Sequence, residues 1–144
     1  MLSIRYTVPA IPVPLVPRWL RYLGAIAVAG ALFYFSVLSA PPVAPPDPGP
    51  FWDKQLHFLS YGGFTLALAY ATTHLKEKAQ KRILLVVSIA IAYGLVLELL
   101  QGLQPQRYLS IADALANVVG TLLASLWFGI ESRVRYIELA AVMQ

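Results

Sequence analysis

The 144-residue chain contains no cysteine. That excludes disulfide staples, thiolate nucleophiles and cysteine-ligated metals. Charge is scarce as well. Asp, Glu, Lys and Arg make up 12% of the residues, about half of the ~25% usual in a soluble domain. There is no HExxH spacing and no nucleophile elbow, so the common signatures of zinc hydrolases and serine esterases are missing. No internal repeat is present. What fills the chain instead is apolar: 58% hydrophobic residues and a mean hydropathy of +0.66. This composition marks an integral membrane protein. The net charge of +4 and pI near 9.5 do not point to nucleic acid. The basic residues fall at helix ends and in one short loop, where membrane topology accounts for them.

A bilayer core asks for about 20 mainly apolar residues per helix. Four segments meet that length: 18–40, 54–75, 83–103 and 110–130. The expected fold is therefore all-α, four transmembrane helices in an antiparallel bundle. The first apolar run is too long for the h-region of a signal peptide, and Pro41 and Pro42 follow its small-residue stop. It reads as a retained anchor. Residues 41–52 hold six prolines, which cannot be helical and form a stiff outer connection. Residues 1–17 read as an irregular arm. Residues 131–144 read as a tail that extends the last helix or lies at the interface.

Nine of the eleven Lys and Arg residues fall on one side of this topology: Arg5, Arg18, Arg21, Lys76, Lys78, Lys81, Arg82, Arg133 and Arg135. Only Lys54 and Arg107 fall on the other. The bias puts both termini in the cytoplasm, in a multi-pass protein of the cell membrane. The loop KEKAQKR at 76–82 reads as a solvated cytoplasmic turn. Trp19, Tyr22, Phe51, Trp52, Trp127 and Phe128 suit the interfacial belts.

The chemistry sits at the opposite, outer side. Asp53, His57 and Tyr61 follow at i, i+4 and i+8 and share one helix face. Asp53 stands at a helix entry, where a carboxylate caps free N–H groups. It is also placed to orient His57. Glu98 and Gln101 are i, i+3 neighbours about one turn inside the outer boundary, and a carboxylate there must find a partner. Arg107 is the nearest cation in sequence, so an ion pair locking the hairpin is the structural expectation. Ser110 is a plausible N-cap with Asp113 at N3. Asp113, Asn117, Gly120, Thr121 and Ala124 share a face, and Gly120 with Ala124 lets another helix approach closely.

In order, D-K-x-x-H-F-x-x-Y at 53–61, E-x-x-Q at 98–101, Arg107, and D-x-x-x-N-x-x-G at 113–120 resemble the VanZ-like family of small membrane proteins. The resemblance covers about 53–130 and leaves out the Pro-rich loop and the N-terminal arm. It implies a helical membrane protein. The namesake of the family is associated with resistance to the lipoglycopeptide teicoplanin.

These observations lead to a binding role. The expected ligand is an outer-leaflet lipid headgroup or a lipid-linked amphiphile such as a lipoglycopeptide, in an envelope or antibiotic-resistance role, held by Asp53, Lys54, His57, Tyr61, Glu98, Gln101, Arg107, Asp113 and Asn117. Lys54 and Arg107 supply cationic contacts, while the acyl chains stay in lipid beside the bundle. Self-association is compatible with this reading. No cofactor and no resident metal is expected. One alternative is an enzyme on a lipid-linked substrate, with His57 as acid or base oriented by Asp53, and with Asp53, His57, Glu98 and Asp113 as hard-metal ligands. Another is a purely structural polar tie between helices.

Overall fold

The computed structural model describes residues 10–40, 43–105 and 107–139. Arg5 and the end of the tail beyond 139 lie outside the described residues. Four long helices dominate. Helix α1 runs Arg18–Phe33 and continues as a π-helical turn, Tyr34–Leu38. Helix α2 is Trp52–Ala71, α3 is Ala79–Gln101 and α4 is Ile111–Ser125, followed by a short α5, Trp127–Ile130. Helix α2 packs against α1, α3 and α4, so it is the centre of the bundle.

The packing is inverted relative to a protein folded in water. Among the described residues, eleven polar or charged side chains are buried and nine hydrophobic ones. Leu23, Ile26, Leu84, Leu95, Val96, Leu115, Val119 and Leu122 all face outward. Water would punish both halves of that arrangement. Lipid rewards it, since tails solvate leucine as well as a core does and polar groups gather inside. Three helical stretches are long and apolar enough to cross a membrane: Arg18–Leu38, Thr73–Gln101 and Ile111–Arg133. Helix α2 has the length, 20 residues, but Asp53, Lys54, Gln55 and His57 at its entry lower its apolar average.

Gly120 brings α2 and α4 together. A Cβ added there would stand 2.2 Å from the Phe58 carbonyl oxygen of α2, so only hydrogen fits. Gly62, on the other side of the contact, would place a Cβ 3.6 Å from the Gly120 carbonyl. Further along, the Tyr61 ring lies against Gly94, in a core shared with Phe64 and Ala90. The expected small-residue face of α4 is therefore used, against α2.

Expectations about the opposite, basic end need correction. Residues 76–82 do not form a loop. Thr73–Lys78 is a 3-10 helix that runs directly into α3. Arg82 consequently lies inside α3, where it is buried, not solvated. Its guanidinium forks onto Glu131, with Nη1–Oε2 at 2.6 Å and Nη2–Oε1 at 3.1 Å. It also donates to Thr72 Oγ1 at 3.1 Å and to the Ala69 carbonyl, and Phe128 lies under it at 5.0 Å.

Where it is described, the N-terminal arm is not irregular, and the tail extends the last helix only by the 3-10 turn Glu131–Arg133 before it becomes a strand. Ile11–Leu15 (β1) and Val134–Glu138 (β2) form a two-stranded parallel sheet, with Ile11 opposite Val134 and Leu15 opposite Glu138. Prolines at 12 and 14 alternate along β1. The residues between them therefore keep their N–H groups on the edge that faces β2. The outer edge is closed by Tyr70 of α2, whose hydroxyl donates to the Pro14 carbonyl at 2.8 Å and accepts from Val16 N–H at 3.1 Å. Tyr136 of β2 donates its hydroxyl to Glu131. Burial, then the hydrogen bond to and charge of Glu131, push that hydroxyl well above the ordinary tyrosine range. Tyr136 accordingly stays a neutral donor. Lys76 adds bonds to the Glu131 and Val134 carbonyls, each 3.2 Å.

Candidate functional site

The other end of the bundle gathers the start of α2, the end of α3 and the start of α4. Ser110 caps α4 as its sequence suggested, its hydroxyl accepting from Asp113 N–H at 3.2 Å. The reciprocal half of a capping box would bring the N3 side chain back to the Ser110 N–H. Here Glu98 of α3 takes that place instead, accepting from Ser110 N–H at 2.6 Å. Asp113 is thereby released to face α2. Glu98 is buried, and its second oxygen has no partner among the described residues. Gln101, one turn on, is buried as well.

Two cross-links tie α2 to α4. The Lys54 ammonium lies 2.5 Å from Asp113 Oδ1 and 2.9 Å from Asp53 Oδ2, so it sits between two carboxylates. His57 Nδ1 lies 3.1 Å from Asn117 Oδ1. An amide oxygen only accepts, so Nδ1 carries the proton in that bond. Nε2 lies on the other side of the ring, 4.0 Å from Asp113 Oδ2, and carries the lone pair in the neutral imidazole. Asp53 does not orient His57, which corrects the expected pairing. The orienting group is Asn117, and Asp53 is engaged by Lys54. Asp53 also does not cap its own helix. It lies in the first turn of α2, whose cap residue Phe51 makes no side-chain capping bond.

Arg107 departs furthest from expectation. It forms no ion pair with Glu98. Its Nη2 donates to the Phe35 carbonyl at 2.9 Å and the Ser39 carbonyl at 3.3 Å. These carbonyls belong to the π-helical turn that ends α1 and the residue after it. A cation at a helix C-terminus satisfies free carbonyls and opposes the helix dipole. Arg107 thus pins the end of α1 across the mouth of the site.

Two cavities open there. One, of about 540 Å³, is lined by Val28, Ala31, Leu32 and Phe35 of α1 and by Leu59 and Gly63 of α2. The other, of about 410 Å³, is lined by Trp52, Lys54, Tyr108, Ser110 and Asp113. Both share Asp53, Leu56, His57, Gln101 and Arg107 as walls. Tyr61 reaches the larger one from the core.

The VanZ/LLP1 family model matches residues 12–130. The chain belongs to the VanZ/LLP1 family. The match begins inside β1, so it takes in α1 and the Pro-rich connection, which the motif resemblance had left out. No curated protein and no solved structure gives a significant match. Within the family region, the structure brings Asp53, Lys54, His57, Asp113 and Asn117 into one cluster. Glu98, Gln101 and Arg107 border it, and Tyr61 lies deeper. Missed by sequence reasoning were the carbonyl partners of Arg107 and the α1 wall of the apolar cavity. The wall had no polar residue to mark it.

Proposed function

We propose that this VanZ/LLP1 protein binds an amphiphile at the outer side of the cell membrane. The carrying observation is that an apolar slot and a polar pocket share five wall residues. A headgroup in the polar pocket meets Lys54, His57, Gln101 and Arg107, and the first part of an acyl or polyprenyl tail lies between α1 and α2. This refines the expectation that tails stay wholly in lipid. Anionic or zwitterionic heads suit the cationic contacts. Membrane lipids, lipid-linked envelope precursors and lipoglycopeptides share this chemistry, and an envelope or resistance role follows from binding any of them.

The reading takes α2 as a fourth span, with both termini in the cytoplasm. Twenty residues give about 30 Å of helix, enough to cross the hydrocarbon core. Asp53, Lys54 and His57 at the entry of α2 turn toward the pocket or toward α4, so they spare lipid the cost that an apolar average records. The basic residues at the other end support the orientation.

Native mass spectrometry of the detergent-purified protein tests this. The described neighbours leave the position of a Gly63 Cβ clear, with nothing within 4 Å, so Gly63→Leu adds bulk to the slot wall from an open position. We expect a discrete bound amphiphile in the wild type, reduced in folded Gly63→Leu and Arg107→Gln. Equal occupancy in all three proteins refutes the reading. A structural reading is favoured by the Lys54–Asp113 and His57–Asn117 ties across α2 and α4. It gains if the wild type carries no ligand and Lys54→Met or Asn117→Leu unfolds the protein.

A further inference from the structure

Asp53, His57 and Asp113 offer one ligand atom each, all within 4.8 Å of one another. We propose that these three side chains bind a divalent transition-metal ion, and that Lys54 is its built-in competitor. This inference does not depend on an amphiphile.

Four observations carry it. First, His57 is prepared as a ligand. With its Nδ1 proton held by Asn117, the neutral ring has its lone pair on Nε2, and metal-bound histidines are commonly oriented by such a bond from the other ring nitrogen. Second, the 4.0 Å between Nε2 and Asp113 Oδ2 is too long for a hydrogen bond. Tetrahedral bonds of about 2.0–2.2 Å put two donors about 3.4 Å apart, so a side-chain shift of well under 1 Å would seat both on one ion. Asp53, with its side chain 59% exposed, is free to turn and close the remaining gap.

Third, a cation already occupies the place. The Lys54 ammonium lies between Asp53 and Asp113 at 2.9 and 2.5 Å, so the two carboxylates already hold a positive charge between them. Fourth, a buried carboxylate stands beside the cluster with an oxygen to spare. Glu98 is 3% exposed, and its Oε2 has no partner among the described residues. The adjoining cavity of about 410 Å³ has room for the waters that would complete the coordination. One imidazole and two carboxylates suit Zn²⁺ or Mn²⁺ better than Ca²⁺ or Mg²⁺. Metal entry displaces the ammonium, which then points into the same cavity as a free anion contact.

Zinc titration of the tag-free, chelator-stripped full chain in detergent tests this by calorimetry, with Co²⁺ absorption as a second readout. One saturable site per chain is expected. His57→Ala and Asp113→Asn should abolish it, and Asn117→Leu should weaken it by about 10–100-fold through loss of the tautomer lock. Lys54→Met should tighten binding, because the competing charge is gone. His74→Ala, at the far end of the bundle, should change nothing. The proposal is overturned if the wild type shows no saturable site. It is also overturned if Lys54→Met binds no tighter, or if loss follows His74→Ala but not His57→Ala. Should His57→Ala fail to fold, the wild-type stoichiometry and the Lys54→Met shift decide alone.

Discussion

Gly120→Ala is a one-carbon change whose consequence follows directly from the α2–α4 contact. The added Cβ would lie 2.2 Å from the Phe58 carbonyl oxygen, 3.0 Å from its carbon and 3.1 Å from Phe58 Cα. The obstacle is backbone, so no side chain can rotate away. Carbon and carbonyl oxygen rest at about 3.3–3.6 Å in close helix contacts. The two helices must therefore part by about 1 Å. Overpacking of this kind costs about 1–3 kcal/mol. Separation also draws Lys54 away from Asp113 and His57 away from Asn117, since those ties cross the same interface. We expect a lower unfolding midpoint in detergent, together with loss of zinc and amphiphile binding. Gly94→Ala is the comparison. Its Cβ would meet the Tyr61 ring at 2.9 Å, a side chain that can shift, so a smaller stability loss with binding largely kept is expected. If Gly120→Ala melts with the wild type and keeps the site intact, Gly120 does not set the helix spacing.

Two further predictions concern the basic end. Glu131→Gln leaves the buried Arg82 guanidinium without its counter-charge, a loss of about 3–5 kcal/mol. A denaturant titration should show it, and a double Arg82→Met, Glu131→Leu protein should recover most of the stability. Tyr70→Phe removes two hydrogen bonds to the outer edge of β1, each worth about 0.5–1.5 kcal/mol. Hydrogen exchange should rise at Val16 with little change in global unfolding, and an unchanged exchange rate would show that Tyr70 does not hold the strand.

The apolar runs made three of the long helices legible, because length and composition are local properties. The start of α4 was legible too, since Ser110 and Asp113 form a capping pattern within four residues. Helix α2 was legible as a helix of that length, although Asp53, Lys54, Gln55 and His57 at its entry keep it from being as apolar as the other three. The partners inside the site were not legible. Spacing placed Asp53 one turn from His57, yet the ring turned to Asn117, 60 residues away. Charge arithmetic paired Arg107 with Glu98, but each found backbone instead: carbonyls at the end of α1 for Arg107, the N–H of Ser110 for Glu98. Side chains near helix ends compete with the free backbone groups of those ends, and sequence spacing does not reveal that competition. The β1–β2 pairing failed for a related reason. Ile11 meets Val134 across the whole fold, and alternate prolines look like disorder until a partner strand explains them.

Charge at the site follows from which helix ends meet there. Helices α2 and α4 both begin at it, and α1 ends beside it. Asp53 and Asp113 lie in the first turns of α2 and α4, where a carboxylate is stabilised by the helix dipole. Arg107 lies at the end of α1, where a cation is. Most of the fixed charge is thereby matched to backbone dipoles before any ligand arrives. Lys54 and His57 are different: among the described residues, neither side chain is held by a backbone group, and both bond to side chains of the cluster. They are the members free to exchange partners. Asp113→Asn separates the two roles of that carboxylate. Ser110 still caps α4 through the backbone N–H of residue 113, so the helix should persist. What should disappear is the hold on Lys54 and on a metal ion. A folded Asp113→Asn protein that still bound zinc as tightly as the wild type would assign the carboxylate to the dipole alone.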